Sequence, residues 1–560
     1  MGQVIPFIKD NSTYRKLAEA RAEKNDFSGA LKFLFSAKSL SNDYKVIMDI
    51  ADAYADMGLL ELSNKYWFTY MDKAPKDKVS VAYEELAINY FYLDNYWASS
   101  YYFHLKLTTD GQIMKEGLDP EIIDFFSGAE LKKNAYRIVY PFDRADYTFE
   151  IKRAKHALAI GAFPEAKRSL STIPKERHTE ETAGDLAVAC FMSDDLDGAE
   201  RVCRESLSTH GDNVTAFSNL STVYDMREDF DNAEFYYRKA LDARKGEKTE
   251  SYKIATCAIE RGDHQTAKEC LEDILQDRPY ELSMRFFYGV SLINLGKYER
   301  AKEELKKVVR INPQDAVARY YAGLSELLSA GDIDAQKLLP LEYVKELPKT
   351  VVKQYKKRLR ELASTPEKAE FAIKKEEVKR MVEWAVYCAE SETARDAAYL
   401  LSLSNSQYSK RLVEDVLLDP EVKEEIKRIL VYMLVMRGYK GKIAAVAGSF
   451  YVKTRPKKLQ CEREPSGGVY FSAYGLCVAR ALFWDAENVD KIAKQADKIY
   501  NSLKGKIRPS EVTNEEIAAL ILSECKFKWC KSDKDVLNIF AIEKRRLDVL
   551  RELYKGEKND

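Results

Sequence analysis

Small and apolar residues recur along the chain at a spacing close to 34 residues. In six places between residues 154 and 339 an alanine precedes an apolar residue by four positions, and another small residue stands twelve positions before the alanine. The alanines are Ala166, Ala199, Ala233, Ala267, Ala301 and Ala335. A repeat of this length predicts two helices per unit, which cross closely where both carry a small side chain.

Short polar stretches separate the predicted helices of each pair: NDFSG, SDDLDG, REDFD, RGDHQ and LGKYE. Aspartate and glycine favour the conformations that end one helix and cap the next. Because a single helical hairpin cannot bury its own apolar face, neighbouring hairpins must stack to form a core. The pattern therefore predicts an all-α solenoid.

The residues at these positions resemble the tetratricopeptide repeat family, whose signature combines large, small and aromatic residues on two helices. One unit carries Phe217, Leu220, Ser221, Tyr224, Ala233, Tyr237 and Ala240. A second carries Tyr288, Gly289, Leu292, Ala301, Leu305, Val308 and Pro313. An early unit carries Tyr14, Leu17, Ala18, Ala30, Leu34 and Ala37. The resemblance implies a right-handed superhelix of about nine units with a concave face.

Interruptions of the spacing predict four regions along the chain. Residues 1–107 form an amino-terminal repeat block, 108–146 an irregular insertion or hinge, 147–340 the main array, and 341–560 a mostly helical carboxy-terminal domain. Pro340 and Pro348 are expected to end the array because neither fits inside a helix.

Two of these regions carry local signals of their own. Within the insertion we expect one helix near residues 121–126 and an extended piece from Tyr136 to Tyr140. In the last region residues 450–454 alternate in polarity, which predicts a strand and a short strand pair. Thr513 and Glu516 have the spacing of a capping box at a helix start.

Composition favours an ordered chain in a reducing compartment. Apolar residues make up 46% of the sequence and charged residues 32%, which excludes a disordered protein. No apolar run has the length of a membrane span, and the first residues lack a signal-peptide pattern. The nine cysteines form no disulfide framework. We expect a cytoplasmic protein that contacts no membrane.

In the tetratricopeptide family the first helix of each unit lines the concave face. Applied to the later repeats, this arrangement predicts an apolar stripe on the concave face: Tyr252, Thr256, Ile259, Phe286, Val290, Ile293, Tyr320, Leu324 and Leu327. Such a stripe suits a partner segment of a protein. It is equally suited to intramolecular docking of the carboxy-terminal helices, which we favour because an open apolar groove promotes aggregation.

The amino-terminal block places carboxylates on or beside its inner face: Glu19, Glu23, Asp49, Asp52, Asp56 and Glu84. Clustered carboxylates attract basic segments, although a solvated face gives the same pattern. Residues 1–340 carry a net charge of −10 and residues 341–560 one of +9. Three basic runs, beginning at Lys353, Val452 and Glu543, therefore suggest an alternative function in nucleic-acid binding through the last third.

The sequence contains no recognisable catalytic, cofactor or metal motif. The five histidines stand apart, and the cysteines lack the spacing of a zinc site. GYKGK at Gly438 lacks the spacing of a phosphate-binding loop. We therefore predict a cytoplasmic scaffold or adaptor that binds a protein segment on its concave face, and no enzyme, cofactor or metal.

Overall fold

The computed structural model describes residues 10–110, 118–128, 146–159, 161–246, 248–455, 468–484, 489–528, 530–540 and 542–556. These residues form 29 α-helices and one antiparallel strand pair, so the fold is an all-α solenoid with helical additions. The extended piece predicted from Tyr136 to Tyr140 lies outside the described residues.

Six helices form the amino-terminal block as three consecutive hairpins. They are α1 (Asn11–Ala22), α2 (Phe27–Leu40), α3 (Tyr44–Asp56), α4 (Leu60–Lys73), α5 (Ser80–Tyr92) and α6 (Tyr96–Asp110). Helix α7 (Pro120–Gly128) follows and covers the helix predicted for the insertion. The packed core of the block is rich in aromatic rings; Trp67 of α4, for example, lies edge-on to Tyr70 at 5.4 Å between centroids.

Eleven helices continue the solenoid. They are α8 (Thr148–Ala159), α9 (Phe163–Leu170), α10 (Glu180–Phe191), α11 (Leu196–His210), α12 (Val214–Met226), α13 (Phe230–Asp242), α14 (Lys248–Arg261), α15 (His264–Asp277), α16 (Leu282–Asn294), α17 (Tyr298–Ile311) and α18 (Ala316–Ala330). Small residues sit where paired helices cross, as predicted. A β-carbon on Gly289 of α16 would lie 2.7 Å from Leu305 Cγ of α17.

The turn chemistry predicted from the polar stretches is confirmed. Asp194 and Glu228 adopt positive φ angles of 61° and 60° at the ends of their helices. The next residue is an aspartate that caps the following helix: Asp195 accepts from Gly198 N at 2.9 Å and Asp229 from Asn232 N at 3.2 Å. Each of these turns thus ends one helix and caps the next.

The last member of the periodic series does not lie on a second helix, so that part of the prediction was wrong. Ala335 lies in a short 3₁₀ turn, Ala335–Lys337, and the chain from 338 to 348 has no regular structure. Gly331 ends α18 in the left-handed region with φ of 78°. Because Pro340 and Pro348 then disfavour a helix, α18 has no partner helix in its own unit.

The carboxy-terminal third is mostly helical, with one hairpin. Its elements are α19 (Lys349–Ala363), α20 (Pro366–Ala372), α21 (Glu376–Cys388), α22 (Ser391–Leu403), α23 (Gln407–Leu417), α24 (Glu424–Met436), β1 (Ile443–Ala447), β2 (Phe450–Thr454), α25 (Gly468–Trp484), α26 (Val489–Leu503), α27 (Asn514–Cys525), α28 (Asp533–Phe540) and α29 (Lys544–Lys555). The strands pair antiparallel with Val446 opposite Tyr451, and the predicted capping box opens α27. Among the described helices, none combines the length and apolarity needed to cross a bilayer.

The amino-terminal block packs onto the far end of the array rather than extending freely. Tyr54 of α3 donates from its hydroxyl to the carbonyl of Ile311, which ends α17, at 2.6 Å. Tyr102 of α6 donates to the carbonyl of Ser449 in the hairpin turn at 2.7 Å. One apolar core therefore runs through the block, the repeats from α14 to α18 and the last third, while α8 to α11 pack around a core of their own.

Candidate functional site

An irregular segment of the chain lies against the later repeats. Residues 338–348, with the sequence LLPLEYVKELP, follow α18 without regular structure, and we call them the strap. Leu341 and Leu347 of the strap are 8% and 5% exposed, whereas residues 342 and 344–346 face solvent. One side of the strap is thus buried and the other faces solvent.

Asn294 at the end of α16 holds the backbone of the strap. Its amide nitrogen Nδ2 donates to the carbonyl of Leu341 at 2.9 Å, and its Oδ1 accepts from the amide of Leu341 at 2.7 Å. Both backbone groups of one residue are satisfied by one side chain, as they are by a neighbouring strand in a sheet. This contact is made to the backbone of Leu341 and does not depend on its side chain.

Tyr343 of the strap is held by a polar and an aromatic contact. Its hydroxyl donates to Ser291 Oγ at 3.1 Å and lies 3.0 Å from His264 Nδ1, and its ring lies 5.7 Å from the imidazole and 6.4 Å from Phe287, between centroids. Burial lowers the pKa of His264, which favours a neutral ring. Burial likewise raises the pKa of Tyr343 and keeps it a neutral phenol.

The other end of the strap reaches the start of α18. Lys345 Nζ lies 2.9 Å from Asp315 Oδ2, and Asp315 caps α18 by accepting from Ala318 N at 2.8 Å. The strap therefore passes from the last residue of α16 to the first turn of α18. It crosses the first helices of two successive repeats in the direction opposite to those helices.

The apolar stripe predicted from the sequence is divided between the interior and the surface. Phe286, Val290 and Ile293 of α16 are fully buried, and Phe286 packs edge-on against Tyr321 of α18 at 5.2 Å between centroids. Leu324 of α18 is also buried. The partly or fully exposed members are Tyr252, Thr256, Ile259, Tyr320 and Leu327.

The residues of α16 that contact the strap each stand one position after a residue of the predicted apolar stripe. Phe287, Ser291 and Asn294 lie on the same face of α16, because they are spaced by four and three residues. This face, together with His264, the first residue of α15, was not predicted from the sequence. The polar side chains at 291 and 294, at helical spacing on an otherwise apolar helix, are the signal that could have indicated it.

The predicted acidic surface is partly neutralised by neighbouring cations. Asp49 accepts from Arg15 Nε at 2.5 Å and from Nη2 at 2.9 Å, and Glu84 lies 3.1 Å from Lys106 Nζ with both side chains buried. The four remaining members of the group are exposed: Glu19, Glu23, Asp52 and Asp56.

The basic runs of the last third contact carboxylates of the same chain. The pairs include Lys356 with Glu390, Arg360 with Glu392, Lys453 with Asp72 and Arg546 with Glu516. Residues 456–458 of the second run lie outside the described residues. Across the part of the chain that the structure describes, no three His, Cys, Asp or Glu side chains converge as metal ligands.

A family model of the tetratricopeptide type matches residues 226–326, which contain α13 to α17 and most of α18. The family is that of the anaphase-promoting complex, cyclosome, subunit 3. This chain is a tetratricopeptide repeat protein. The match falls on the repeats that hold the strap, and it agrees with the helix pairs and capped turns described above.

Several solved tetratricopeptide structures are similar to this repeat protein in part. Yeast Tom70 shares 12% identity, with 90% of this chain and 98% of that chain covered and a TM-score of 0.29. The TPR domain of P58(IPK) shares 14%, with 70% and 98% covered and a TM-score of 0.23. YrrB, a TPR protein with an unusual peptide-binding site, shares 22%, with 31% and 88% covered and a TM-score of 0.25. No curated protein sequence matches the chain.

Proposed function

We propose that this tetratricopeptide repeat protein is a cytoplasmic interaction scaffold that binds an extended segment of another protein on the face formed by α14, α16 and α18, without chemistry of its own. The observation that carries the proposal is the reciprocal pair of hydrogen bonds between Asn294 and the backbone of Leu341. A side chain that satisfies both backbone groups of one extended residue is suited to hold other extended chains in the same way.

Two further features support a protein ligand. Partly exposed apolar side chains lie on α14 and α18, and Leu327 of α18 is 42% exposed. Lys356, Arg360, Lys453 and Arg546 of the basic runs pair with carboxylates of the same chain, which leaves less positive charge for phosphates and favours a protein partner over a nucleic acid. The exposed carboxylates Glu19, Glu23, Asp52 and Asp56 are proposed as a second surface that attracts basic segments.

Position-specific photo-crosslinking tests the proposed groove. The photoreactive residue p-benzoylphenylalanine is placed at Thr256 of α14 or at Leu327 of α18, and the full chain is irradiated in cells of its source. Phe235 of α13, a second helix of its unit and 51% exposed, is the matched control position. We expect the same partner protein to be crosslinked at 256 and 327 and not at 235. Equal yields at all three positions, or no crosslinked protein, would overturn the proposal.

A further inference from the structure

We propose that the strap is an internal pseudo-ligand and that the groove selects a partner segment with the same pattern, an apolar residue followed two positions later by tyrosine. This inference rests on the proposed function and deepens it, because it names the chemistry of the partner and a competitor for the same surface. The apolar position is taken from Leu341, which is 8% exposed and whose backbone Asn294 holds, and the tyrosine from Tyr343, whose hydroxyl bonds Ser291.

The contacts of the strap have the character of ligand recognition. Leu341 is held through its backbone, and Tyr343 through its hydroxyl and its ring, so these two residues each meet a defined partner. Val344, which directly follows Tyr343, is 44% exposed.

The hydroxyl of Tyr343 supplies the selectivity. Ser291 and His264 both lie within hydrogen-bond distance of it, at 3.1 and 3.0 Å. A phenylalanine at this position would leave these two groups without that partner in a half-buried site. Sites built to bond a hydroxyl discriminate strongly against the analogue that lacks it, since the polar groups of the site are then left unpaired.

Attachment to the chain makes the strap a strong but reversible competitor. It follows directly from the turn at 335–337 and runs into α19, so its two ends stay close to the groove. A short tether gives an effective concentration of about 1 mM, without any added contact. A free segment of equal intrinsic affinity therefore binds weakly until the strap is weakened or the partner supplies further contacts elsewhere.

Fluorescence anisotropy with a labelled synthetic peptide tests the inference on the full chain. The probe is LLPLEYVKELP, the sequence of residues 338–348. The strap variant carries Leu341→Ser and Tyr343→Ser and keeps every groove residue. We expect it to bind the probe about tenfold more tightly than the unmodified chain. Adding Asn294→Ala to the strap variant should remove that gain, and a probe with phenylalanine in place of tyrosine should bind about tenfold more weakly.

A conservative variant covers the case in which the double substitution unfolds the region. Tyr343→Phe keeps the ring against Phe287 and removes only the hydroxyl, so it should raise probe affinity severalfold. Tyr439→Phe, at a tyrosine that is 49% exposed, is the matched control and should change nothing.

Failure of the inference about the strap can be distinguished from failure of the proposed function. Probe affinity that is the same for Tyr343→Phe and the unmodified chain overturns the inference. If partner crosslinks at positions 256 and 327 persist in that case, the proposed function stands. If they are also absent, both are overturned.

Discussion

Replacing Lys65 by methionine should loosen the junction where three parts of the chain meet. Lys65 of α4 is 3% exposed and lies 2.8 Å from Asp419, which follows α23 and is 6% exposed. Its Nζ also donates to Gln314, between α17 and α18, and to the hydroxyl of Tyr387 on α21 at 3.3 Å. One ammonium group therefore links the amino-terminal block, the end of the array and the last third.

The size of the effect follows from the burial of both charges. Proximity to Asp419 and other acidic groups outweighs burial and raises the pKa of Lys65 well above its ordinary value, so the lysine stays charged at neutral pH. Removing one member of a buried pair costs roughly 3–5 kcal/mol, because the other charge is left without compensation. Replacing both, as in Lys65→Met with Asp419→Leu, should recover most of that loss, since an apolar pair of similar volume is often neutral.

Hydrogen exchange followed by mass spectrometry is the assay, because long repeat proteins open in parts and not as a single unit. Lys65→Met should speed exchange in α4 and in the segments around Gln314, Tyr387 and Asp419 together. A loss of 3–5 kcal/mol corresponds to rates that are at least about 100-fold faster. Lys78→Met is the matched control, since Lys78 pairs with Asp77 at 3.8 Å with side chains 59% and 73% exposed. A change below about tenfold, or one confined to α4, would refute the reasoning.

Two further outcomes are expected. Gly289→Ala should destabilise its repeat by about 1–3 kcal/mol, because a β-carbon there meets Leu305 at 2.7 Å. Gly323→Ala, at the same place in the next repeat and with nothing within 4 Å of the added β-carbon, should stabilise its repeat by about 0.5–1 kcal/mol. Hydrogen exchange of α16, α17 and α18 compares the two variants. Hydrogen bonding from Arg227 lowers the pKa of Glu200 to about 2 from 4.5. The folded pKa is depressed, so this contribution, about 3 kcal/mol at most, is present above pH 4.5 and lost as the pH falls towards 2. Glu200→Gln should therefore have a lower urea midpoint than the unmodified chain at neutral pH, and the difference should vanish over that window; a constant difference would contradict the assignment.

The repeats were predictable because their determinants are local. Small residues at the helix crossings, such as Gly289, and capping aspartates such as Asp195 and Asp229 act within one hairpin. Each can be recognised in a window of a few residues, and the 34-residue spacing then predicts the register of the next unit. The strand at 450–454 and the capping box at Thr513 were predictable for the same reason, whereas the partner strand at 443–447 was not predicted.

Which residues of α16 face the strap could not be predicted from the sequence. Phe286 and Phe287 are adjacent and alike, yet the first packs against Tyr321 of the next repeat and the second against the strap. Which of the two faces outwards depends on how far successive hairpins rotate against each other. That rotation is set by packing between units and leaves no periodic trace in the sequence.

The docking of the amino-terminal block depends on contacts that are distant along the chain. Tyr54 bonds the carbonyl of Ile311, 257 residues away, and Lys65 pairs with Asp419. Residues 1–340 and 341–560 carry opposite net charges, which favours mutual attraction, but a net charge does not identify the surfaces that make contact. Similarly, Ala335 kept the repeat spacing while the prolines after it prevented the helix that the spacing predicts.

The most direct test of a groove built for extended segments is hydrogen exchange of the strap in the unmodified full chain. An isotopically heavy copy of LLPLEYVKELP is added above the effective concentration of the strap, about 1 mM. The account predicts that the chain's own amides between 338 and 348, including that of Leu341, exchange faster as the peptide replaces them, while α16 stays protected. Unchanged protection of the strap at that concentration would show that the segment is a fixed part of the core and would contradict the account.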